Sequence, residues 1–347
     1  MHLTNQENIR NWQPLHHGGN LADAVKLYGG EQKDWLDLST GISPWSCPIP
    51  DITLNDWQHL PPITNELLQV AAEYYQCDPA AIIVTPGSQL AIRLLPRLFN
   101  NEKRVAIPLI GYQEHAYSWA SANHSVLQYQ DLNELNELVD KKLVTHAVVI
   151  SPNNPMGTVF NATTLSVLAK KLSGVLIVDE AFMDIHNSAS VCRQSDLSNI
   201  IVLRSLGKFF GLAGARVGFL ISHHRVKNEL THLLSPWTIT TPAQKIAEAV
   251  LHNSHWQTLQ CSRIKQHALN LNQLLKSTLP NTLKVVNAEL FNTIIGDSTT
   301  IKRIHQQFAK QKIWTRLGDE KKGNNWLRIS LPGPEAERFN SAVQSLT

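Results

Sequence analysis

The chain has 347 residues, 43% of them hydrophobic and 17% charged, with a formal net charge of +3 at pH 7. A chain of this length can bury one large core and a smaller second one, and its scattered lysines and arginines lack the clustered basic face of a nucleic-acid binder. Glycine and proline, 17 of each, are evenly spread, so no segment reads as a linker or a low-complexity tract, and no internal repeat is visible.

The opening residues 1–8 are polar and lack the apolar core of a signal peptide. No apolar run approaches the roughly 18 residues of a membrane span. Both features predict a cytoplasmic protein without a membrane partner. Helical periodicity is expected over 66–75, a strand over 81–84, a helix over 89–99, and strands over 105–107 and 146–150. A helix over 163–172 and strands over 175–178, 200–203 and 216–220 follow. These strand runs are apolar throughout rather than alternating, which predicts strands covered on both faces in a mostly parallel α/β sheet. From Thr241 a long helical region runs to Leu275 and is closed by Pro280. Strands over 283–286 and 327–330, with a helix between them and another at the end, predict a smaller α+β domain. The expected division is an N-terminal arm over 1–45, a large domain over 46–240 and a small domain over 241–347. Cys47, Cys77, Cys192 and Cys261 stand apart, with no zinc spacing, and are expected as free thiols with no metal site.

In such sheets ligands bind beyond the carboxyl ends of the strands, so the residues after each strand are the functional candidates. Thr85-Pro86-Gly87-Ser88-Gln89 is a glycine turn opening a helix, and the backbone N–H groups of Gly87, Ser88 and Gln89 suit a phosphate. Tyr112 suits stacking on a flat aromatic ligand. Asn154, within Ser151-Pro152-Asn153-Asn154-Pro155-Met156-Gly157, offers an amide to a phenolic oxygen. Asp179 closes an apolar strand, where a carboxylate needs a cation to meet it. Each also has a purely structural alternative: a helix N-cap, a buried loop tyrosine, a rigid turn, and an arginine partner for the aspartate.

Lys208 lies in the apolar, glycine-rich stretch Ser205-Leu206-Gly207-Lys208-Phe209-Phe210-Gly211-Leu212-Ala213-Gly214-Ala215-Arg216-Val217-Gly218-Phe219. A lysine there either reaches for water or loses hydration, and a buried ammonium loses its proton more readily and becomes a nucleophile. Such an amine forms a Schiff base with an aldehyde. Ser205, three residues before, and Arg216, eight after, are the groups to hold a phosphate attached to that aldehyde. Phosphate cradle, ring stacker, amide, carboxylate and lysine therefore predict pyridoxal 5′-phosphate as the cofactor.

These motifs, from Thr85-Pro86-Gly87-Ser88 to Leu327-Arg328-Ile329, resemble those of the fold-type I, aspartate-aminotransferase-like superfamily of pyridoxal-phosphate enzymes over nearly the whole chain. The resemblance implies a mostly parallel seven-stranded sheet flanked by helices in the large domain, a smaller α+β C-terminal domain, and a homodimer. It implies that Lys208 and Asp179 are catalytic, with Lys208 as the Schiff-base lysine and Asp179 on the pyridine nitrogen. Asn154 would bond the ring hydroxyl and Tyr112 stack on the ring, while Gly87, Ser88, Gln89, Ser205 and Arg216 hold the cofactor phosphate. Arg328 matches the superfamily arginine that receives a substrate carboxylate. Two positions depart from the pattern. Phe182 stands where many relatives have tyrosine, and Leu60-Pro61 stands for Tyr-Pro, a tyrosine that in relatives reaches the phosphate in the partner subunit.

His17-Gly18-Gly19-Asn20-Leu21 and Leu36-Asp37-Leu38-Ser39-Thr40-Gly41-Ile42-Ser43-Pro44-Trp45 resemble the opening motifs of the threonine-phosphate decarboxylases of cobalamin biosynthesis, a group that Leu60 and Phe182 also fit. That resemblance implies a carboxy-lyase that converts L-threonine O-3-phosphate to (R)-1-amino-2-propanol O-phosphate and carbon dioxide. His17, Gly18, Gly19, Thr40, Gly41, Asn154 and Arg328 would contact this small phosphorylated substrate. The Ser43 hydroxyl and neighbouring His16 are further candidates, and Arg193, His115 and Arg263 are cations without an assigned place. Arg328 has two open roles, toward a carboxylate or toward a phosphate. A histidinol-phosphate-type aminotransferase, which uses the same ring contacts, is the alternative reaction. A non-catalytic pyridoxal-phosphate module is a third reading, but no basic helix-turn-helix precedes the first strand-helix unit as in regulators that borrow this fold.

Overall fold

The apolar runs become strands of one sheet in the computed structural model, which describes Leu15 and residues 17–99, 102–194, 196–319 and 324–346. Residues 1–8 and His16 lie outside the described residues. The strands are β1 (Ile82–Thr85), β2 (Arg104–Pro108), β3 (Ser125–Tyr129), β4 (His146–Ile150), β5 (Leu176–Asp179), β6 (Ile200–Ser205) and β7 (Gly218–Ile221). They lie in the order β1-β7-β6-β5-β4-β2-β3, and β7 alone is antiparallel to its neighbours. Successive strand residues point to opposite faces, and here both faces are apolar. Ala147 and Val149 enter one core cluster and Val148 the other; Leu176 and Val178 divide from Ile177 in the same way. β3 escapes a search for apolar runs because it is an edge strand, Ser-Val-Leu-Gln-Tyr, with polar positions among the buried ones.

The main helices are α1 (Leu21–Tyr28), α2 (Asn65–Tyr75), α3 (Ser88–Leu94), α4 (Glu114–Ser121), α5 (Leu132–Asp140), α6 (Ala162–Lys171), α7 (Thr241–His252), α8 (Ser254–Thr278), α9 (Ser298–Lys310) and α10 (Ala336–Gln344). Leu67 of α2, Leu135 of α5 and Leu165 of α6 cover one face of the sheet, and Ile92 of α3 with Trp119 of α4 the other. Two expected helices differ in extent. The one expected over 89–99 ends at Leu94 and tightens into a 3-10 turn carrying Pro96, which has no N–H to continue the ladder. The long helical region from Thr241 divides at Asn253, whose side chain accepts the Trp256 N–H and caps α8.

The smaller C-terminal α+β domain carries an antiparallel sheet of β8 (Lys284–Asn287), β9 (Phe291–Asp297), β10 (Arg316–Asp319) and β11 (Asn324–Ser330) in the order β10-β11-β9-β8. β9 is hidden in the sequence because Asn292 and Thr293 sit inside it fully buried, one bonded to Asn272 and the other to the Pro155 carbonyl. The N-terminal segment packs on this domain. Ala24 of α1 meets Trp35 and Ala309, Lys312 Nζ donates to the Tyr28 and Gly29 carbonyls at 2.8 and 2.6 Å, and Leu36–Asp37 pairs in parallel with Ile313–Trp314.

Behind the sheet edge that follows β5, Arg204 of β6 is fully buried between Glu180 (2.9 Å) and Asp184 (2.6 Å). Burial raises the pKa of both carboxyls, and Arg204 opposes that rise. Arg204→Met would leave two buried carboxyls without their cation, at a cost of about 3–5 kcal/mol. Carboxyls whose folded-state pKa is raised bind protons on folding, so this loss should be larger at pH 8 than at pH 5. Urea midpoints measured at the two pH values check both the size and the sign.

Candidate active site

Because β7 runs against its neighbours, its beginning lies where the parallel strands end, and Gly218 is the register partner of both Thr85 and Ser205. Arg216, two residues earlier, is thereby delivered to the glycine turn after β1. Gly87 there has φ of +71°, and a Cβ on it would stand 2.6 Å from Arg216 Nη2; a Cβ on Gly218 would stand 2.4 Å from Ser88 N. The turn and the arginine approach this closely only because both positions are glycine. Arg216 itself takes a left-handed conformation, φ of +55°, and donates from Nη1 to the Ala213 carbonyl at 3.1 Å.

Lys208 lies in the connection from β6 to β7, half-buried, with Nζ 3.2 Å from the Thr40 carbonyl oxygen and 5.4 Å from the Phe182 ring centroid. Burial above all, with the Arg328 and Arg216 cations, lowers its pKa to about 8 against the pull of Asp179. Asp179 ends β5 and is 4% exposed. Its Oδ2 is 2.8 Å from His115 Nε2 and its Oδ1 accepts the Ala181 N–H at 3.1 Å. Its partner within the protein is thus a histidine rather than an arginine. Tyr112 Oη donates to Gln89 Oε1 at 2.8 Å. Burial, then the Glu114 and Asp179 carboxylates, raises the phenol pKa and keeps it neutral.

Two cavities meet at Lys208. The smaller, about 140 Å³, is lined by Gly87, Ser88, Gln89, Tyr112, Asn154, Asp179, Ser205, Lys208 and Arg216, all nine positions expected to face a cofactor, and by Phe182. The larger, about 800 Å³, shares Tyr112, Asn154 and Lys208 and adds His17, Gly18, Thr40, Arg316 and Arg328. Gly19 and Gly41 are not in its wall. Gly19 donates its N–H to Ser39 Oγ at 2.8 Å and Gly41 to Ser330 Oγ at 2.7 Å, while a Cβ on Gly41 would stand 3.1 Å from the Phe182 ring. Ser43 is buried and turned away, donating to the Trp45 carbonyl and accepting from Gln260. Arg193 and Arg263 are exposed, the latter over the Trp45 ring, and neither lines these cavities.

Arg316 escaped the sequence reading. It lies directly across the β10–β11 pairing from Arg328, and both line the larger cavity. Like charges directly opposite repel. Arg328 is 5% exposed, donating to Asn154 Oδ1 at 2.5 Å and to the Ser39 carbonyl, with no carboxylate in ion-pair reach among the described residues. Burial, then Arg316, lowers its pKa to about 9. Glu114 also escaped it, although a carboxylate opening a helix just after Tyr112 was the available signal, and His115, a cation without an assigned place in the sequence, is the partner of Asp179. Among the described residues no helix is long and apolar enough to cross a membrane, and no group of three His, Cys, Asp or Glu residues can hold a metal ion. All four cysteines are free.

A buried carboxylate, an amine of lowered pKa and a guanidinium beside a glycine turn line one small cavity. They complement the ring nitrogen, the aldehyde and the phosphate of pyridoxal 5′-phosphate, and with the sheet topology they define a fold-type I pyridoxal-phosphate-dependent enzyme. The chain belongs to the class I and II aminotransferase family, whose model matches residues 54–346, and its cofactor is pyridoxal 5′-phosphate. It is 35% identical to the threonine-phosphate decarboxylase of Pseudomonas aeruginosa over 325 residues, 93% of this chain and 94% of that one. It is 28% identical to the histidinol-phosphate aminotransferase of Buchnera aphidicola over 341 residues, 94% of this chain and 92% of that one. Its fold matches that of the crystal structure of histidinol-phosphate aminotransferase from Sinorhizobium meliloti in complex with pyridoxal 5′-phosphate, with a TM-score of 0.84 and 18% identity over 97% and 96% of the two chains.

The lowered pKa of Lys208 carries a kinetic consequence, because only the neutral amine attacks an aldehyde. Stopped-flow condensation of the apoenzyme with pyridoxal phosphate should accelerate with pH through about 8 and level off above it. A midpoint near the ordinary lysine value of 10.5 would contradict the burial argument.

Proposed function

We propose that this enzyme decarboxylates L-threonine O-3-phosphate to (R)-1-amino-2-propanol O-phosphate and carbon dioxide, a step of cobalamin biosynthesis. The carrying observation is the Arg316–Arg328 pair, two guanidiniums opposed across one strand pairing in the wall of a cavity that also reaches Lys208. Arg328, held there by neutral oxygens, calls for an anion, and a phosphate offers enough oxygens to meet both forks of donors at once. Greater identity to a threonine-phosphate decarboxylase than to a histidinol-phosphate aminotransferase, at similar coverage, supports the same reading.

Bound pyridoxal phosphate supplies an electrophilic aldehyde and a conjugated ring that takes up the electron pair left when a bond at Cα breaks. In this reading Gly87, Ser88 and Gln89 N–H groups, Ser205 and Arg216 hold its phosphate, Tyr112 covers the ring, and Asn154 meets the ring hydroxyl. Asp179, backed by His115, keeps the ring nitrogen positive. Phe182 has no hydroxyl to add a second bond to the ring oxygen. Lys208, which exchanges with the substrate amine, is then the group that returns a proton to Cα in place of the departing carboxylate. His17 with the N–H of Gly18, Thr40 and the arginine pair receive the substrate. A homodimer fits the exposure of three large apolar side chains close together in sequence, Leu54 (72%), Trp57 (62%) and Leu60 (66%).

One observation favours the aminotransferase instead. The larger cavity, about 800 Å³ and lined by Trp314 and Trp326, has room for an aromatic side chain. The holoenzyme should be incubated with L-threonine O-3-phosphate without any keto acid while carbon dioxide and aminopropanol phosphate are followed. Release of both over many turnovers is expected; no release, with amino-group transfer from histidinol phosphate to 2-oxoglutarate, would establish the other reaction. Arg328→Ala should lower kcat/KM on the order of 10²-fold while the cofactor stays bound, and normal turnover would remove Arg328 from the site.

A further inference from the structure

Glu114 opens α4 and is 1% exposed, so its charge has to be met inside the protein. Donors from two distant stretches of chain converge on it. His17 Nε2 lies 2.9 Å from Oε1, while Arg93 Nη2 at 2.7 Å and Gln89 Nε2 at 2.8 Å meet Oε2. A carboxylate only accepts, so it settles which end of the Gln89 amide faces it. The other end, Oε1, is then an acceptor, and it makes the Tyr112 hydroxyl donate at 2.8 Å. The same constraint acts on His17. Its Nε2 is committed to Glu114, which leaves Nδ1 as the nitrogen available to a ligand.

His17 is about half exposed, with a side-chain relative accessibility of 49%, and a side chain in that setting loses rotamer freedom when it is held in one place. The Glu114 contact holds it beside Tyr112, with ring centroids 6.2 Å apart, and both line the larger cavity. Arg93, which also lies over the Tyr117 ring, keeps the carboxylate compensated on its other oxygen. Glu114 is absent from the wall of the small cavity but lines the larger one beside His17 and Tyr112, and it joins the arm to the ring stacker through two short chains of hydrogen bonds.

We propose that Glu114 is a positioning residue that holds His17 in place for the substrate phosphate and, through Gln89, sets the Tyr112 ring, so that one carboxylate locks both the arm and the cofactor seat. This rests on the proposed role of His17 toward a phosphate. The probes are ethanolamine phosphate, which has an amine and a phosphate but no carboxylate to lose, and ethanolamine itself. Their dissociation constants come from titrating the absorbance of the holoenzyme cofactor, and the ratio of the ethanolamine constant to the ethanolamine phosphate constant isolates the contribution of the phosphate whichever reaction the enzyme runs.

In Glu114→Gln that ratio is expected to fall about tenfold, and the near-ultraviolet circular dichroism of the bound cofactor should change before any ligand is added. His17→Ala should lower the ratio equally, and combining the two should lower it by less than about twofold further, because the carboxylate then has no imidazole to hold. An unchanged ratio in Glu114→Gln, or two effects that multiply in the double variant, overturns the proposal. Should Glu114→Gln fail to fold, Glu114→Asp keeps the charge and withdraws it by one methylene; an intermediate fall supports the proposal and no fall overturns it. A native ratio near one would instead refute the phosphate role of His17, leaving the circular dichroism change to decide the Gln89–Tyr112 link.

Discussion

An amine has to stay readily neutral while surrounded by cations, and the architecture turns on that constraint. Burial and the Arg328 and Arg216 guanidiniums push the Lys208 proton off, and Asp179 restrains them. These groups come from different elements: Arg216 from the connection just before β7, Asp179 from the end of β5, and Arg328 from the small domain. The protonation of this amine is therefore a property of how the two domains meet. An aromatic wall mediates the contact. Lys208 Nζ lies over Phe182 at 5.4 Å and the Arg328 guanidinium over Phe291 at 5.2 Å, with the two rings edge to face at 5.3 Å between them. Ring faces attract cations, so the wall replaces part of the hydration both have lost, while holding the proton on Lys208 less firmly than a further carboxylate would.

The reversed strand makes this geometry reachable in so short a loop. Were β7 parallel, its beginning would lie at the far edge of the sheet and Arg216 with it. Antiparallel pairing brings Gly218 level with both Thr85 and Ser205, so the turn after β1, the end of β6 and the arginine share one corner. The same corner is stiffened from behind. Glu180 and Asp184, one and five residues after Asp179, clasp the fully buried Arg204. His115 occupies one oxygen of Asp179 and the Ala181 N–H the other. The carboxylate is thus held by neighbours on both sides and does not depend on a ligand for its orientation.

The large domain was legible because its chemistry is local. Strands buried on both faces read as unbroken apolar runs, and each residue of the smaller cavity that was expected to face a cofactor stands within a few residues of a strand end. What escaped depends on pairing between distant segments. Arg316 gains its meaning from the register that sets it opposite Arg328, and β10 was itself invisible, a four-residue strand with a glycine in it. Glu114 is unremarkable until the arm and α3 fold onto it. Ser43 shows the converse: its hydroxyl, read from sequence as facing a ligand, is consumed by Gln260, 217 residues away. The opening glycines divide in the same way. Gly18 reaches the cavity wall, whereas Gly19 and Gly41 serve backbone bonds to Ser39 and Ser330.

On the proposed substrate, the charge of the arginine pair bears on which bond at Cα breaks. A phosphate monoester carries about −1.5 to −2 at neutral pH, close to the two positive charges that Arg316 and Arg328 bring together. A carboxylate would neutralise half of that and would itself be held as an anion. Loss of carbon dioxide turns the carboxylate into a neutral molecule, so a guanidinium gripping it stabilises the ground state more than the transition state. Seating the phosphate on the arginine pair avoids that penalty and leaves the carboxylate to the less charged wall near Lys208 and Phe182. Arg328 itself is anchored by neutral oxygens, those of the Asn154 amide and the Ser39 carbonyl. Such partners orient a guanidinium without cancelling its charge, which is what the recognition of a dianion requires.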